Sequence, residues 1–589
     1  MKQVFSVDQI RRAENILLKR QSDPDELMIS AAAAVAEVAL AMIEVQAEPR
    51  LHLLPGGGPE QIPWEPVHGQ TLLLVGPGGN GGDALYAGAF MIEEGQSVHA
   101  VLLGDGKVHE SAVNYFLAQD GEILEEFPDA GEYNLVVDGV YGIGNRGPIS
   151  VELANFMETV YSMDIPVLAV DVPSGVNADT GEVPPGTLVR LFHYGPDAPV
   201  ARQKVPTHIN ATATITFGGL RRAHAVSPAC GEVMLADIDL AAGDGHGLSQ
   251  ELVQVHMEDG VPPVYASVVV RPRQPIHEQV GQSEAGEAIQ DIGQHFMALD
   301  LEPRPEHDKY SSGIVGIVAG SDAYRGAAIL ATQAAVRATS SMVRYVGSVA
   351  DMVVQAAPEV VVTRTLADTG RVQTWVHGPG HGTSETEVAE LADLLTRPEP
   401  LLIDADSLTL LATSPELRAV LALREAPTVL TPHKGEFERL AEVLRSEGLE
   451  IPSAFDDPIG AAQALSEFCG CCVLLKGRHT VVAAPKFTHV INAGSSWLAT
   501  AGSGDVLAGL VGAHVAQSYA EIHRLPEFFP DINVPDTAVY TQVARAVVIH
   551  SLAGYFAADT AFGTAPTSAS RIVECISPAT AQLTTERFD

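Results

Sequence analysis

The pattern that most constrains this chain is a short, unbroken apolar run that ends on glycine, aspartate or proline and is followed by a helical stretch. TLLLV leads into GPGGNGGD, NLVVD into GVYGIGNRGP and PVLAVD into VPSG. IVGIVAGS, WVHGPG, PLLIDADS, TVLTPH and CVLLKG repeat the pattern farther on. A run that is apolar at every position, rather than at alternate ones, belongs to a strand covered on both faces. Such strands separated by helices build a parallel sheet. The pattern fills residues 1–240 and again 307–589, so the fold class expected is α/β, with two three-layer αβα domains. Between them, residues 241–306 carry GDGHG, VPPV, RPRQP and EPRPE without a sustained period. They are expected to be a linker with irregular docking structure and one candidate strand, VYASVVVRP.

Charge narrows the function. There are 35 basic and 74 acidic side chains, a formal net charge of −39. Such a surface repels phosphate backbones, which excludes nucleic acid as a partner. A phosphate-bearing ligand must then be held locally, by backbone N–H groups, helix ends, metal ions or a few cations. Five cysteines in so long a chain are no disulfide framework and suit a reducing cytoplasm. Cys469, Cys471 and Cys472 cluster, but Cys472 opens the apolar run CVLLKG, which favours packing over metal binding. The N-terminus lacks an apolar signal core, and no run reaches the ~18 apolar residues of a membrane span.

In open parallel sheets ligands bind beyond the carboxyl ends of strands, so the polar residues there are the site candidates. After TLLLV, glycines from Gly76 to Gly82 surround Asn80, and Asp83 could cap the next helix. Glycines at this place let N–H groups approach an anion. Asp138 ends NLVV, and Asp171 and Ser174 end PVLAV. Asn80, Asp138 and Ser174 offer hard oxygens suited to an alkali or alkaline-earth cation. Asp171 is a candidate general acid or base. In the second half, Asp505 follows Gly502-Ser503-Gly504 where a helix begins. It is either a cap or a base placed beside an arriving phosphate. Lys476, His433, Gly378 to Gly380, Asp404 and Asp406 stand at neighbouring strand ends.

Taken in order, GPGGNGGD, DGVYGIGNRGP and AVDVPSGVNADTGE resemble the NAD(P)H-hydrate epimerase domain, a Rossmann-like fold. AGSDAYRGAAILA, GPG, DADSL, LTPHKGEF, LLKGRHT and AGSGDVLAG resemble the ribokinase-like ADP- or ATP-dependent NAD(P)H-hydrate dehydratase. The pair is the arrangement of bifunctional NAD(P)H-hydrate repair enzymes. The resemblance implies an epimerase over 1–240 and a dehydratase over 307–589. It implies K⁺ on Asn80, Asp138 and Ser174, and the hydrated dinucleotides NADHX and NADPHX on two loops. Those loops are Gly79, Asn80, Gly81, Gly82 and Asp83, and Gly142, Ile143, Gly144, Asn145, Arg146, Gly147 and Pro148, with Asp171 at the reacting ring. In the dehydratase it implies substrate on Ala328, Gly380, His433 and Asp505, with Asp505 as base. ADP or ATP with Mg²⁺ would lie on Lys476, Gly477, Arg478, His479, Thr480 and Gly504. Two departures stand in the first half: Gly79 replaces a second asparagine, and Thr212 replaces an acid. A homo-oligomer is expected. The rival reading is a small-alcohol kinase beside a non-catalytic N-terminal binding module, since LTPHKGEF and LLKGRHT also suit vitamin-precursor kinases.

Overall fold

The computed structural model describes residues 2–47, 70–103, 108–144, 147–190, 202–240, 247–269, 289–291, 307–339, 341–525 and 534–585. The chain forms two compact units, Lys2–Val261 with Pro272–Ile292, and Pro262–Arg271 with Gly293–Asp589.

In the N-terminal unit eight strands form one sheet. Their order is Ile289–Asp291, Glu232–Ala236, Ala213–Phe217, Val167–Val170, Tyr133–Gly139, Gln70–Val75, Val98–Leu102 and Glu122–Leu124. All neighbours are parallel except the first pair. Side chains alternate between faces along a strand, and here both faces are covered. Leu73 and Val75 enter one apolar cluster with the helices Glu26–Ala47 and Gly79–Glu93, while Leu72 and Leu74 enter another with Leu153 and Met157. That is why TLLLV is apolar throughout. The helix Glu26–Ala47 is long and apolar enough to cross a membrane, yet Leu27, Ala31, Val35, Val38 and Met42 pack into this core. From Gln70–Val75 the chain builds outward to one side, then returns to place Tyr133–Gly139 on the other. The two loops that leave this switch point bound a crevice.

The C-terminal unit repeats the plan with a mixed sheet. Val361–Thr363, Val343–Val346, Val315–Val318, Thr374–His377, Leu401–Ile403, Thr428–Leu430 and Cys472–Leu475 run parallel in that order. His479–Ala484 and Phe487–Asn492 continue as antiparallel strands, so His479 opens a strand. Here the switch point lies between Val315–Val318 and Thr374–His377.

The segment 241–306 is more regular than its composition suggests. Leu248–Asp259 is a helix of the N-terminal unit, with Leu248, Leu252 and Val255 buried at helical spacing. Val264–Val268 pairs in parallel with Phe487–Asn492 in the C-terminal unit. Thr187–Arg190 and Arg202–Val205 pair as an antiparallel ribbon.

Candidate active sites

The glycine stretch after Gln70–Val75 is the first turn of a helix rather than a loop. Gly79–Glu93 starts at Gly79, with Gly78 as N-cap at φ 100°, so Asp83 is not the cap that the sequence suggested. The glycines serve close packing: a Cβ on Gly81 would lie 2.1 Å from the carbonyl oxygen of Gly76, and one on Gly76 1.8 Å from that of Val140. A Cβ on Gly142 would lie 2.4 Å from Asn80 Oδ1, so the second loop closes directly over Asn80. The Asn80 amide donates to Val170 O at 2.7 Å, which leaves its oxygen for another partner. Asp138 is wholly buried. It accepts from Ser174 N at 2.8 Å, Ser174 Oγ at 2.6 Å and Val140 N at 3.2 Å. Burial outweighs these bonds and pushes its carboxyl up to about 6. Asp138 and Ser174 are thus bonded to each other, and the loop that follows Asp138 closes over Asn80.

Beside them a cleft of about 530 Å³ is lined by Glu14, Asn80, Asp83, Gly142, Ile143, Gly144, Asp171, Phe217 and Arg221, among others. Asp171 sits at φ 64°, a conformation that costs a non-glycine residue about 1–2 kcal/mol. Arg221 Nη2 contacts its Oδ1 at 2.9 Å and Thr216 Oγ1 donates to the same oxygen at 3.1 Å. His224 Nε2 lies 2.7 Å from its carbonyl oxygen. Arg221 is 1% exposed, and it donates further to the carbonyls of Phe217 and Gly219. Strand pairing of Phe5 with Arg221 holds it in place. Burial pushes Glu14 up to about 7, with Arg221 opposing and Asp171 adding to the rise. Burial also holds Asp83 well above the carboxylate range, reinforced by Asp171 and Glu14. Sequence reading missed Glu14 and Arg221. Glu14 lies in an amphipathic helix, Val7–Leu18, where a charge reads as solvated surface. The one available signal was the arginine pair at 221 and 222, which follows the strand ATITF after Gly218, Gly219 and Leu220. Thr212 precedes Ala213–Phe217, at the opposite strand end from the cleft, and its Oγ1 accepts from Val167 N. Asn145 and Arg146 lie outside the described residues, and Gly147 and Pro148 follow them before the helix Val151–Ser162.

In the C-terminal unit the question posed by Asp505 has a structural answer. The helix Ser503–Ile522 is N-capped by Gly502 at φ 84°, and no side chain caps it among the described residues. Asp505 therefore stands in the first turn without capping. Burial pushes it up to about 6, Asp404 adds to the rise and Lys476 opposes it. Lys476 Nζ bonds Asp404 Oδ1 at 2.8 Å and lies 3.9 Å from Glu436 Oε2. Burial pulls that ammonium down, but Asp404, Glu436 and Asp505 outweigh it and hold it above the ordinary lysine range. A Cβ on Gly504 would lie 3.5 Å from Lys476 Nζ, so the helix end and the ammonium face each other. Ala405, next to Asp404, is strained at φ 48°. Asp406 Oδ2 accepts from Gly382 N at 2.8 Å and ties down the loop that carries Gly380. Gly380 itself is at φ 56°, and a Cβ there would meet Tyr324 Cβ at 2.7 Å.

The remaining candidates divide. His433 is the N-cap of Lys434–Ser446: its Nδ1 accepts from Gly435 N at 2.9 Å and its ring is about half exposed. Ala328 is fully buried, with its methyl packed toward Gly320. Thr480 Oγ1 donates to Gly477 O at 2.9 Å and closes the turn after Lys476. Arg478 reaches Ser496 Oγ at 2.8 Å, and burial drives His479 down to about 4. Cys471 and Cys472 are buried, and all five cysteines are free.

Comparison with known proteins follows the same division. Residues 24–223 match the family described as YjeF-related protein N-terminus, and residues 315–575 match the NAD(P)H-hydrate dehydratase family. A bifunctional NAD(P)H-hydrate repair enzyme of Corynebacterium glutamicum is 60% identical over 588 residues, covering 100% of both chains. One of Mycobacterium tuberculosis is 38% identical and covers 88% of this chain and 89% of its own. A crystal structure of an ADP/ATP-dependent NAD(P)H-hydrate dehydratase from Bacillus subtilis aligns with a TM-score of 0.38 at 24% identity, covering 49% of this chain and 95% of that one.

Proposed function

The chain belongs to the family of bifunctional NAD(P)H-hydrate repair enzymes, and from that premise we propose which cleft performs which reaction and through which residues. The protein is an NAD(P)H-hydrate epimerase and an NAD(P)H-hydrate dehydratase on one chain, and its substrates are NADHX and NADPHX. We assign epimerisation to residues 1–240 and dehydration to 307–589, with 241–306 between them.

Epimerisation must break the C6–O bond of the hydrated ring and re-form it on the other face. The ring nitrogen supplies the electron pair that expels hydroxide. One group must protonate that oxygen, and the same group must later take a proton from the water that returns. Glu14, pushed up to about 7, is suited to both tasks near neutrality. Asp171, pinned by Arg221 and Thr216, faces the ring and stabilises its transient positive charge. Gly79 to Asp83 and Gly142 to Pro148 cradle the dinucleotide. K⁺ would be held by Asn80 Oδ1, Asp138 and Ser174, a set of hard oxygens with a glycine, Gly142, where a side chain would fill the space.

Dehydration is carried by one observation: Lys476 is committed to Asp404, and Asp505 is left raised and uncapped at the adjacent helix N-terminus. Asp505 takes the proton of the C6 hydroxyl, and that oxygen attacks the terminal phosphorus of ADP or ATP. The nucleotide leaves one phosphate shorter. The C6–O bond then breaks with its electrons on phosphate, and loss of a proton from the adjacent carbon restores the ring double bond. Lys476 and the helix N-terminus, at Gly504, meet the transferred phosphate, and Gly477 to Thr480 border the nucleotide. Mg²⁺ would neutralise the nucleotide charge, with the Asp404 carboxylate oxygen that Lys476 leaves open as a hard oxygen donor. Gly380 and His433 border the substrate. Five free cysteines support a cytoplasmic location, and the assembly is expected to be a homo-oligomer, checked by sedimentation.

The test is recovery of the reduced-nicotinamide absorbance from mixed R- and S-NADHX with K⁺, Mg²⁺ and either ADP or ATP. Full recovery with one nucleotide supports both assignments and names the donor. Recovery that stops when the S form is spent removes the epimerase assignment. No recovery with either nucleotide, alongside phosphorylation of a small alcohol, would favour the kinase reading.

A further inference from the structure

A second cluster lies at the switch point of the C-terminal sheet, outside the machinery just described. The loops that leave Val315–Val318 and Thr374–His377 meet there, with Gly320 N donating to Pro379 O at 2.8 Å. His377 ends one strand, His381 sits in the loop after it, and Glu390 projects from the helix Glu385–Thr396. Their candidate ligand atoms all lie within 4.8 Å of one another. His381 Nε2 is 2.7 Å from Glu390 Oε2, and His377 Nε2 is 4.0 Å from the same oxygen. The two rings meet edge to face at 4.9 Å.

Two features separate this cluster from an ordinary buried network. His377 is fully buried, yet its Nε2 has no hydrogen-bond partner among the described residues. A buried polar atom left bare costs about 1–3 kcal/mol, so a structure that keeps one calls for a partner. Each ring is also anchored through its other nitrogen: His377 Nδ1 lies 2.6 Å from Ser407 Oγ, and His381 Nδ1 lies 3.3 Å from Gly320 O. A carbonyl only accepts, so His381 Nδ1 carries a proton, and Nε2, which here bonds Glu390, is the nitrogen that would exchange its proton for a metal ion. Outer hydrogen bonds of this kind orient histidine ligands toward a metal.

We propose that His377 Nε2, His381 Nε2 and the Glu390 carboxylate bind one transition-metal ion of the zinc class, with a fourth position open to water. Two imidazoles and a carboxylate suit Zn²⁺ or Co²⁺, whereas Mg²⁺ selects all-oxygen sites. Glu390 also lines a surface cleft of about 490 Å³ with Glu385 and Asp393. Metal–nitrogen bonds of ~2.0–2.1 Å need His377 and Glu390 to approach by less than about 1 Å, and the hydrogen-bonded contact of His381 with Glu390 to open by a similar amount. The bound ion ties the end of a strand to the loop after Gly380 and stiffens the switch point.

The experiment uses the full chain, stripped with a chelator and titrated with Co²⁺ in excess Mg²⁺, followed by visible absorption and metal analysis. One equivalent is expected to bind with the absorption of low-coordinate Co²⁺ and no sulfur charge-transfer band, and Zn²⁺ should displace it. Glu390→Gln and His381→Leu should each weaken binding more than about tenfold, with the circular dichroism of the metal-free protein unchanged. Should His381→Leu fail to fold, Glu390→Gln, at a partly exposed helical position, decides alone. Absence of the Co²⁺ absorption would overturn the proposal, as would undiminished binding by Glu390→Gln. A thiolate band would do so too, by moving the metal to Cys469–Cys472.

Discussion

The two clefts share an architecture and differ in their cation. In the N-terminal cleft it is Arg221, buried and forked between Asp171 and two backbone carbonyls. In the C-terminal cleft it is Lys476, a point charge bonded to Asp404 and close to Glu436. Arginine locks one carboxylate in a fixed geometry, while lysine divides its charge among several. In each cleft the acid suited to moving protons is the one the cation leaves over. Glu14 lies 3.9 Å from Arg221, too far for a hydrogen bond, and rises to about 7. Asp505 sees Lys476 already bonded to Asp404 and rises to about 6. Both clefts also hold a strained non-glycine residue, Asp171 at φ 64° and Ala405 at φ 48°.

The sharpest way to break this parallel is Asp505→Asn. It should reduce dehydration about 10²–10⁴-fold and leave interconversion of R- and S-NADHX, followed by chromatography, unchanged. Near-normal dehydration would return Asp505 to a structural role. Arg221→Met strands the Asp171 carboxylate in the core and should cost about 3–5 kcal/mol in denaturant unfolding. Epimerisation should be lost while S-hydrate is still repaired. A smaller loss, about a hundredfold in epimerisation alone, is expected of Glu14→Gln; an intact rate would shift the proton-transfer role to Asp171. The pH dependence separates the clefts further. Asp505 must be ionised to act and is protonated below about 6, so dehydration should fall about tenfold per pH unit beneath that value. A rate that holds level down to pH 5 would mean that the base titrates lower. The smallest effect belongs to His433→Ala, which removes a helix cap worth about 1 kcal/mol. A rise in KM for the hydrate beyond that loss of stability would give His433 a place at the substrate as well.

Much of the site was legible because the signal was local. Each strand end that supplies Asn80, Asp138, Ser174, Asp404 or Lys476 is an apolar run with a polar residue at its tip, and each sheet brings its own tips to one edge. What escaped was carried by partners distant in sequence. Glu14 and Arg221 are far apart along the chain and meet only because the strand Lys2–Phe5 pairs with Leu220–Arg221. His377 and His381 flank a recognisable Gly-Pro-Gly turn, but Glu390 joins them from a helix whose pattern reads as solvated. The helix Leu248–Asp259 was hidden by the prolines and charges around it, although three buried positions keep its period.

By itself the sequence determined the class of fold, the family and the strand ends that are candidate ligand sites, because apolar periodicity and turn chemistry act over a few residues. Only the tertiary structure decided which carboxylate is paired and which stands free. It alone shows that, among the described residues, Asp505 and Asp83 cap no helix, that His433 caps one, and that Ala328 lies in the core. Those outcomes depend on burial and on charges brought together from distant parts of the chain, and no local pattern encodes either.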